Sequence, residues 1–178
     1  MALSNPELNS AERLKNLVKL TGDIEVDAIA NLKELLFREL KNDPLFAIKA
    51  IEIYDIDTEK VPRFPAICLD LKGSETQQRT IGKDRATFLR SVYVDVWYYH
   101  ADVNDKIIET ELRKTMSRIN SVIVRNADLN GYCRMGVRLG SVLQVDKVFG
   151  ERIVRGVKFP LTIPILYRDR SAGPDSRF

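Results

Sequence analysis

Apolar residues recur along this chain at two periods, and the switches between them mark its elements. Val157, Phe159, Leu161, Ile163, Ile165 and Tyr167 occupy every second position of residues 152–168, which predicts a strand. Residues 89–100 alternate as well. Val92, Val94, Val96 and Tyr98 form a core face, while Tyr93, Asp95, Trp97 and Tyr99 form a second, aromatic face that is expected to meet protein. The runs FAIKAIEIYDI (46–56) and FPAICLDL (64–71), rich in β-branched and aromatic residues and bounded by turn formers, predict two strands of a hairpin. Residues 132–149 predict an irregular strand.

A helical period replaces the alternation in three places. Residues 103–125 carry Val103, Ile107, Ile108, Leu112, Met116, Ile119 and Ile123 in one stripe, predicting the longest helix, packed across the sheet. Val26, Ile29, Leu32, Leu36 and Leu40 predict a helix over about 25–42 that stops at Asn42-Asp43-Pro44. Residues 9–20 open with Asn9 and Glu12 at capping-box spacing and align Leu14, Leu17 and Val18, which predicts a further N-terminal helix.

Polar and proline-marked stretches complete the outline. GSETQQRTIGKDRATF (73–88) reads as a long exposed loop carrying Arg79, Lys83 and Arg85, and a loop of that length is uncommon unless it binds something or is disordered. Pro160 and Pro164 share one register of the last strand, so one edge of it lacks two donors, which predicts an edge or bulged strand. The expected fold is a single α+β domain, a mixed or antiparallel sheet packed against a long helix, with N-terminal helices. Its divisions are a helical extension over 1–22, the domain over 23–168 and a flexible tail over 169–178.

Composition narrows the chemistry. At 178 residues the chain suits one domain with a core large enough to need no disulfides. Its two cysteines, Cys68 and Cys133, are far apart in sequence and form no C-x-x-C, so reduced thiols are expected. A single histidine, His100, excludes paired-histidine metal sites and leaves one candidate for any Cys-His or Ser-His chemistry. The opening residues lack the basic and apolar regions of a signal peptide, and no segment reaches the roughly 18 apolar residues of a span, so a soluble protein without membrane contact is expected. Net charge is only +3, yet residues 1–72 hold 10 basic and 13 acidic side chains and the remainder 18 and 12. Such opposed halves suit steering of a polyanion or head-to-tail pairing of copies, and a merely solvated surface is the plainer reading.

The motifs that would carry catalysis fail in detail. Gly131 and Gly136 have P-loop spacing, but Val137-Arg138 stands where Lys and Ser or Thr must reach phosphate and Mg²⁺. Asn126, Asp128, Asn130 and Gly131 mimic half of an EF-hand loop whose twelfth position is Val137 in place of the bidentate Glu. Asp55 and Asp57 share a strand face without a third ligand or base. No catalytic, metal or cofactor residue is expected.

The succession VDAIANLKELLFREL, FPAICLDLKG, SVYVDVWYYHAD, VNDKIIETELRKTMSRINSVI, NADLNG and VKFPLTIPILYRDR resembles the tail terminator (tail completion) proteins of long-tailed bacteriophages, over roughly four-fifths of the chain. The resemblance is one of element order and carries no diagnostic motif. It implies a structural virion protein, assembled in the host cytoplasm as a hexameric ring on the head-proximal end of the tail tube. There it would end tube polymerisation and join the tail to neck or head-completion proteins, with the sheath as a further partner if the tail contracts and DNA met only in the lumen. Arg79, Lys83, Arg85, Trp97, Tyr99, Pro160 and Pro164 are the expected protein-interface residues. A neck or head-completion connector is the alternative of the same kind. A small basic nucleic-acid-binding protein that stacks bases on the aromatic strand is the alternative of another.

Overall fold

The computed structural model describes residues 21–41, 43, 52–54, 64–81, 86–100, 105–149 and 152–169. It is α+β and forms one domain. Two helices, α1 (Ile24–Lys41) and α2 (Asp105–Arg125), accompany six strands: β1 (Glu52–Tyr54), β2 (Ala66–Ile81), β3 (Ala86–His100), β4 (Arg138–Leu139), β5 (Leu143–Phe149) and β6 (Arg152–Asp169). The helix expected over 9–20, the tail beyond 169, and Asp55 and Asp57 lie outside the described residues. No helix among the described residues is long and apolar enough to cross a membrane.

Helix α1 starts where Asp23 accepts the amide hydrogens of Glu25 (2.9 Å) and Val26 (3.2 Å), satisfying donors that have no intrahelical partner. Its core stripe is Ala28, Leu32, Leu35, Leu36 and Leu40. Val26, expected on that stripe, is 51% exposed, because the buried face at this turn is held by Asp27 and Ala28 instead. The carboxylate of Asp27 accepts the Thr21 amide (2.8 Å), the Thr21 hydroxyl (2.8 Å) and the Gly22 amide (3.2 Å), tying the chain's entry to the first turn.

The sheet runs β1-β2-β3-β6-β4, with β5 also on β6; β1 pairs in parallel and every other pair is antiparallel. Three expectations are corrected here. The 46–56 and 64–71 runs do not make a hairpin, since Glu52–Tyr54 runs parallel to Ala66–Cys68. The true hairpin is β2–β3, whose ladder continues to Ile81↔Ala86 and turns the supposed loop into an arm of the sheet, along which β6 also pairs with β3 as far as Ala86↔Asp169. The polar residues of 73–81 read as loop because neither of their faces meets the core, not because their backbone lacks a partner. Strand β6, expected at an edge, lies between β3 and the β4/β5 side: β5 pairs with Arg152–Lys158, and β4 with Leu161 and Thr162. Beyond Thr162 that second side has no strand partner among the described residues.

One sheet face carries both helices. Ile67, Leu69, Val92, Val94, Val96, Tyr98, Val157, Phe159, Leu161, Ile163 and Ile165 meet the α1 stripe and Leu112, Ile119, Val122 and Ile123 of α2 in one core. Those of β3 and β6 belong to the alternating sets read in residues 89–100 and 152–168. Phe159 and Ile163 are wholly buried, and burying side chains of this size contributes about 1.5–3 kcal/mol each. On the opposite face Cys68, Trp97, Tyr99 and Val154 form a second, smaller cluster with Phe64 and Val145 packed against it.

Candidate functional site

The sheet's open face, its projecting arm and its two margins hold the surface features that distinguish this fold. On the open face Asp70 of β2 stands directly opposite Asp95 of β3, an arrangement that repels unless each carboxylate is neutralised. Lys72 pairs with Asp70, and Lys158 of β6 places Nζ 2.6 Å from Oδ2 of the buried Asp95, too obliquely for a hydrogen bond, so the attraction is between charges. The same ammonium lies 5.3 Å from the centroid of the Trp97 ring. Trp97 in turn stacks on Tyr99, with centroids 5.7 Å apart and planes inclined by 8°.

These contacts correct the expected role of the second face. Trp97 is 8% exposed and Tyr99 is wholly buried, so the aromatic pair packs within the chain and offers no broad stacking platform to a nucleic acid or a partner. Further along the strand only Tyr93 stays open, its hydroxyl donating to Glu75 (3.2 Å). His100, the single histidine, is buried at the end of β3 and stacks on Tyr98. Burial pushes the Tyr98 phenol up to about 12, with the Thr115 hydrogen bond opposing.

The arm is anchored at its base. Ser74 donates to Glu25 of α1 (2.6 Å), Arg90 donates to Ser74 (2.9 Å), and Arg90 forms an ion pair with the same Glu25. The Ser74 and Arg90 hydrogen bonds hold the Glu25 carboxyl below its ordinary range. Two register shifts punctuate β2, one between Leu71 and Gly73 and one between Gln78 and Thr80, so the extra residues are Lys72 and Arg79. Bulges with exposed cations are a recognised way to limit pairing at a sheet margin. Arg79 is exposed on the arm, while Lys83 and Arg85 lie outside the described residues.

The prolines follow from the hydrogen-bond parity of the ladder. Pro160 is opposite Asp95, and its carbonyl accepts Gly140 N–H at 2.8 Å on the side away from β3. Even-numbered β6 residues therefore turn their backbone groups away from β3, which needs no donor from Pro160 or Pro164. Pro164 places its carbonyl against the Cys133 thiol, which donates at 3.2 Å and which burial pushes up to about 11. The shared register of the two prolines thus marks one side of β6, as the sequence implied, but Pro160 sits in the gap between β5 and β4 and Pro164 is buried. Neither is an exposed contact.

By the same parity, β2 turns the backbone of Leu71, Ser74, Thr76 and Gln78 outward, where they have no strand partner among the described residues. On the other margin the backbone of Leu166 and Arg168 is in the same position. Beside it, Tyr132, Arg134, Met135, Leu166 and Tyr167 line a groove of about 430 Å³, with Leu166 55% and Met135 47% exposed. Tyr132 is fixed there by its hydroxyl, which donates to the Ile24 carbonyl (3.2 Å). The residues that build this groove were missed in the sequence, since only the ladder shows that β4 ends before β6 does.

The half EF-hand segment is a series of tight turns. Leu129, Asn130 and Gly131 have φ of 48°, 61° and 91°, and Asn130 Oδ1 accepts from Arg38 (3.0 Å). The described residues include no group of three or more His, Cys, Asp or Glu placed to hold a metal ion. No protein-family model matches the chain, and no curated protein is similar to it.

Proposed function

We propose that this protein is a phage tail terminator: a structural virion protein that caps the head-proximal end of the tail tube as a ring of copies, hexameric by the resemblance, and joins it to the neck. The observation that carries the reading is the sheet itself, closed over a core on one face and, among the described residues, left with an unpaired margin along β2 and another along the end of β6. Unlike margins on opposite sides suit a heterologous contact, and heterologous contacts whose rotation closes give rings. A helix, a strong strand, a long helix and a closing strand follow one another as in the resemblance, although the hairpin is β2–β3 and not the one expected over 46–71. Burial of Trp97 and Tyr99 weighs against the base-stacking alternative.

Light scattering on a sizing column, alone and after mixing with tail-tube protein, tests it. A ring, or a tube-templated assembly that stops tube growth, is the expected result. A persistent monomer that leaves tube polymerisation unchanged would overturn it, and binding to portal-side neck proteins without tube affinity would give the connector reading in its place.

A further inference from the structure

The two open margins match each other in length and position. On β2 the bulges at Lys72 and Arg79 bracket an uninterrupted six-residue run, Gly73–Gln78. On β6 the stretch past the β4 pairing is seven residues, Ile163–Asp169. We propose that these are the two halves of one joint between copies: Gly73–Gln78 of one copy lies along Ile163–Asp169 of the next, extending the sheet across the boundary. The number of copies so joined rests on the ring reading above; the joint itself rests on the margins.

The direction of pairing follows from the topology. β2 is antiparallel to β3 and β3 to β6, so β2 and β6 run the same way within a copy. Copies related by rotation about an axis along the strands keep that direction, and the joint is parallel. Outward backbone groups of Ser74, Thr76 and Gln78 then face those of Leu166 and Arg168. The buried Pro164, whose carbonyl is already taken by Cys133, ends the run at its near side. Side-chain chemistry agrees with a second copy as the occupant. Glu75 and Leu166 project from the same sheet face, since Glu75 pairs with Ser91 and Leu166 with Leu89. The incoming arm therefore brings an exposed carboxylate over Leu166 and into the groove that exposed Arg134 lines. A two-fold joint between β2 margins would leave the groove empty and would not use this pairing of charges.

Thiol cross-linking decides between these arrangements. Gln77→Cys and Leu166→Cys place exposed thiols on the same face, one on each margin, while Cys68 and Cys133 stay buried. Each variant is treated with a short bismaleimide alone and mixed with the other, with and without tail-tube protein, and its mass followed by light scattering. Cross-linked dimers in the mixture and none in either variant alone are expected. Cross-linking of Gln77→Cys with itself would show a two-fold joint and overturn the proposal, and assemblies of full mass without cross-links would overturn it while leaving the ring reading intact. Chains that stay monomeric throughout would overturn it too, whereas mixed cross-links in a protein that ignores tail tube would support the joint and remove the capping role. Glu75→Arg and Arg134→Glu should each weaken assembly roughly two- to fivefold, the range of an exposed ion pair, and the double variant should restore it.

Discussion

Removing Lys158 tests the charge balance of the open face most directly. Asp95 is buried, with 7% of its side chain exposed, and has Asp70 directly across the ladder. Lys158→Met takes the counter-ion from the buried Asp95 carboxylate and leaves Asp70 opposite it. Breaking a buried pair from one side costs about 3–5 kcal/mol, and the 25% exposure of the Lys158 side chain favours the lower figure, about 3 kcal/mol. In a domain of this size that is a fall in Tm of about 6–12 °C, or about 1.5 M in the urea midpoint for a slope near 2 kcal/mol/M. Asp95→Asn should cost less, about 1 kcal/mol. It removes the carboxylate that opposes Asp70, and the ammonium it strands keeps both water and the Trp97 ring. The double variant should fall well short of the sum. Urea denaturation of all four proteins measures the cycle, and additivity within about 0.5 kcal/mol, or equal cost for the two single variants, would refute the reasoning.

Three further outcomes follow from other sites. Trp97→Ala should cost about 3–5 kcal/mol, because the indole fills the second cluster under Lys158; assembly lost at an unchanged Tm would return Trp97 to the role of a surface contact. A Cβ at Gly156 would stand 2.7 Å from Cδ1 of the buried Tyr99 ring and 3.0 Å from the Tyr98 carbonyl, so Gly156→Ala should destabilise by about 1–3 kcal/mol, and an unshifted thermal transition would contradict that crowding. Burial opposes ionisation of Asp27, but the Thr21 and Gly22 hydrogen bonds outweigh it and lower its pKa. Its contribution is therefore full above the unfolded value near 3.9 and lost as pH falls through the folded one. Asp27→Asn should be less stable than the parent at pH 7, and the gap in urea midpoint should close below about pH 4; a gap independent of pH would remove the charge from the explanation.

What the sequence made legible was the distribution of faces. Val92, Val94, Val96 and Tyr98 lie in the main core with Phe159, Leu161 and Ile163, as their period requires, and the paired alternation in 89–100 and 157–167 belongs to two neighbouring central strands. Periodicity reports burial, however, and burial is not pairing. Residues 73–78 pair with β3 while none of them is buried, so their polar character concealed a ladder. Trp97 and Tyr99 carried the opposite ambiguity: an aromatic second face looks the same in sequence whether the chain covers it or a partner does.

The prolines show where the two kinds of information meet. Pro160 and Pro164 did locate a donor-free side of β6, since a missing N–H constrains hydrogen bonding whatever the surroundings. They did not show what stands on that side. Gly140 answers Pro160 with an N–H, and Cys133 answers Pro164 with a thiol, so the prolines close part of the margin and leave only the stretch around Leu166 and Arg168 open. A margin reduced in this way accepts a short strand and rejects a long one. The β2 margin, cut to six residues by the bulges at Lys72 and Arg79, is the short strand that the proposed joint would use. Both restrictions weaken indiscriminate edge pairing, and in the proposed joint they would confine the contact between copies to the stretch around Leu166 and Arg168.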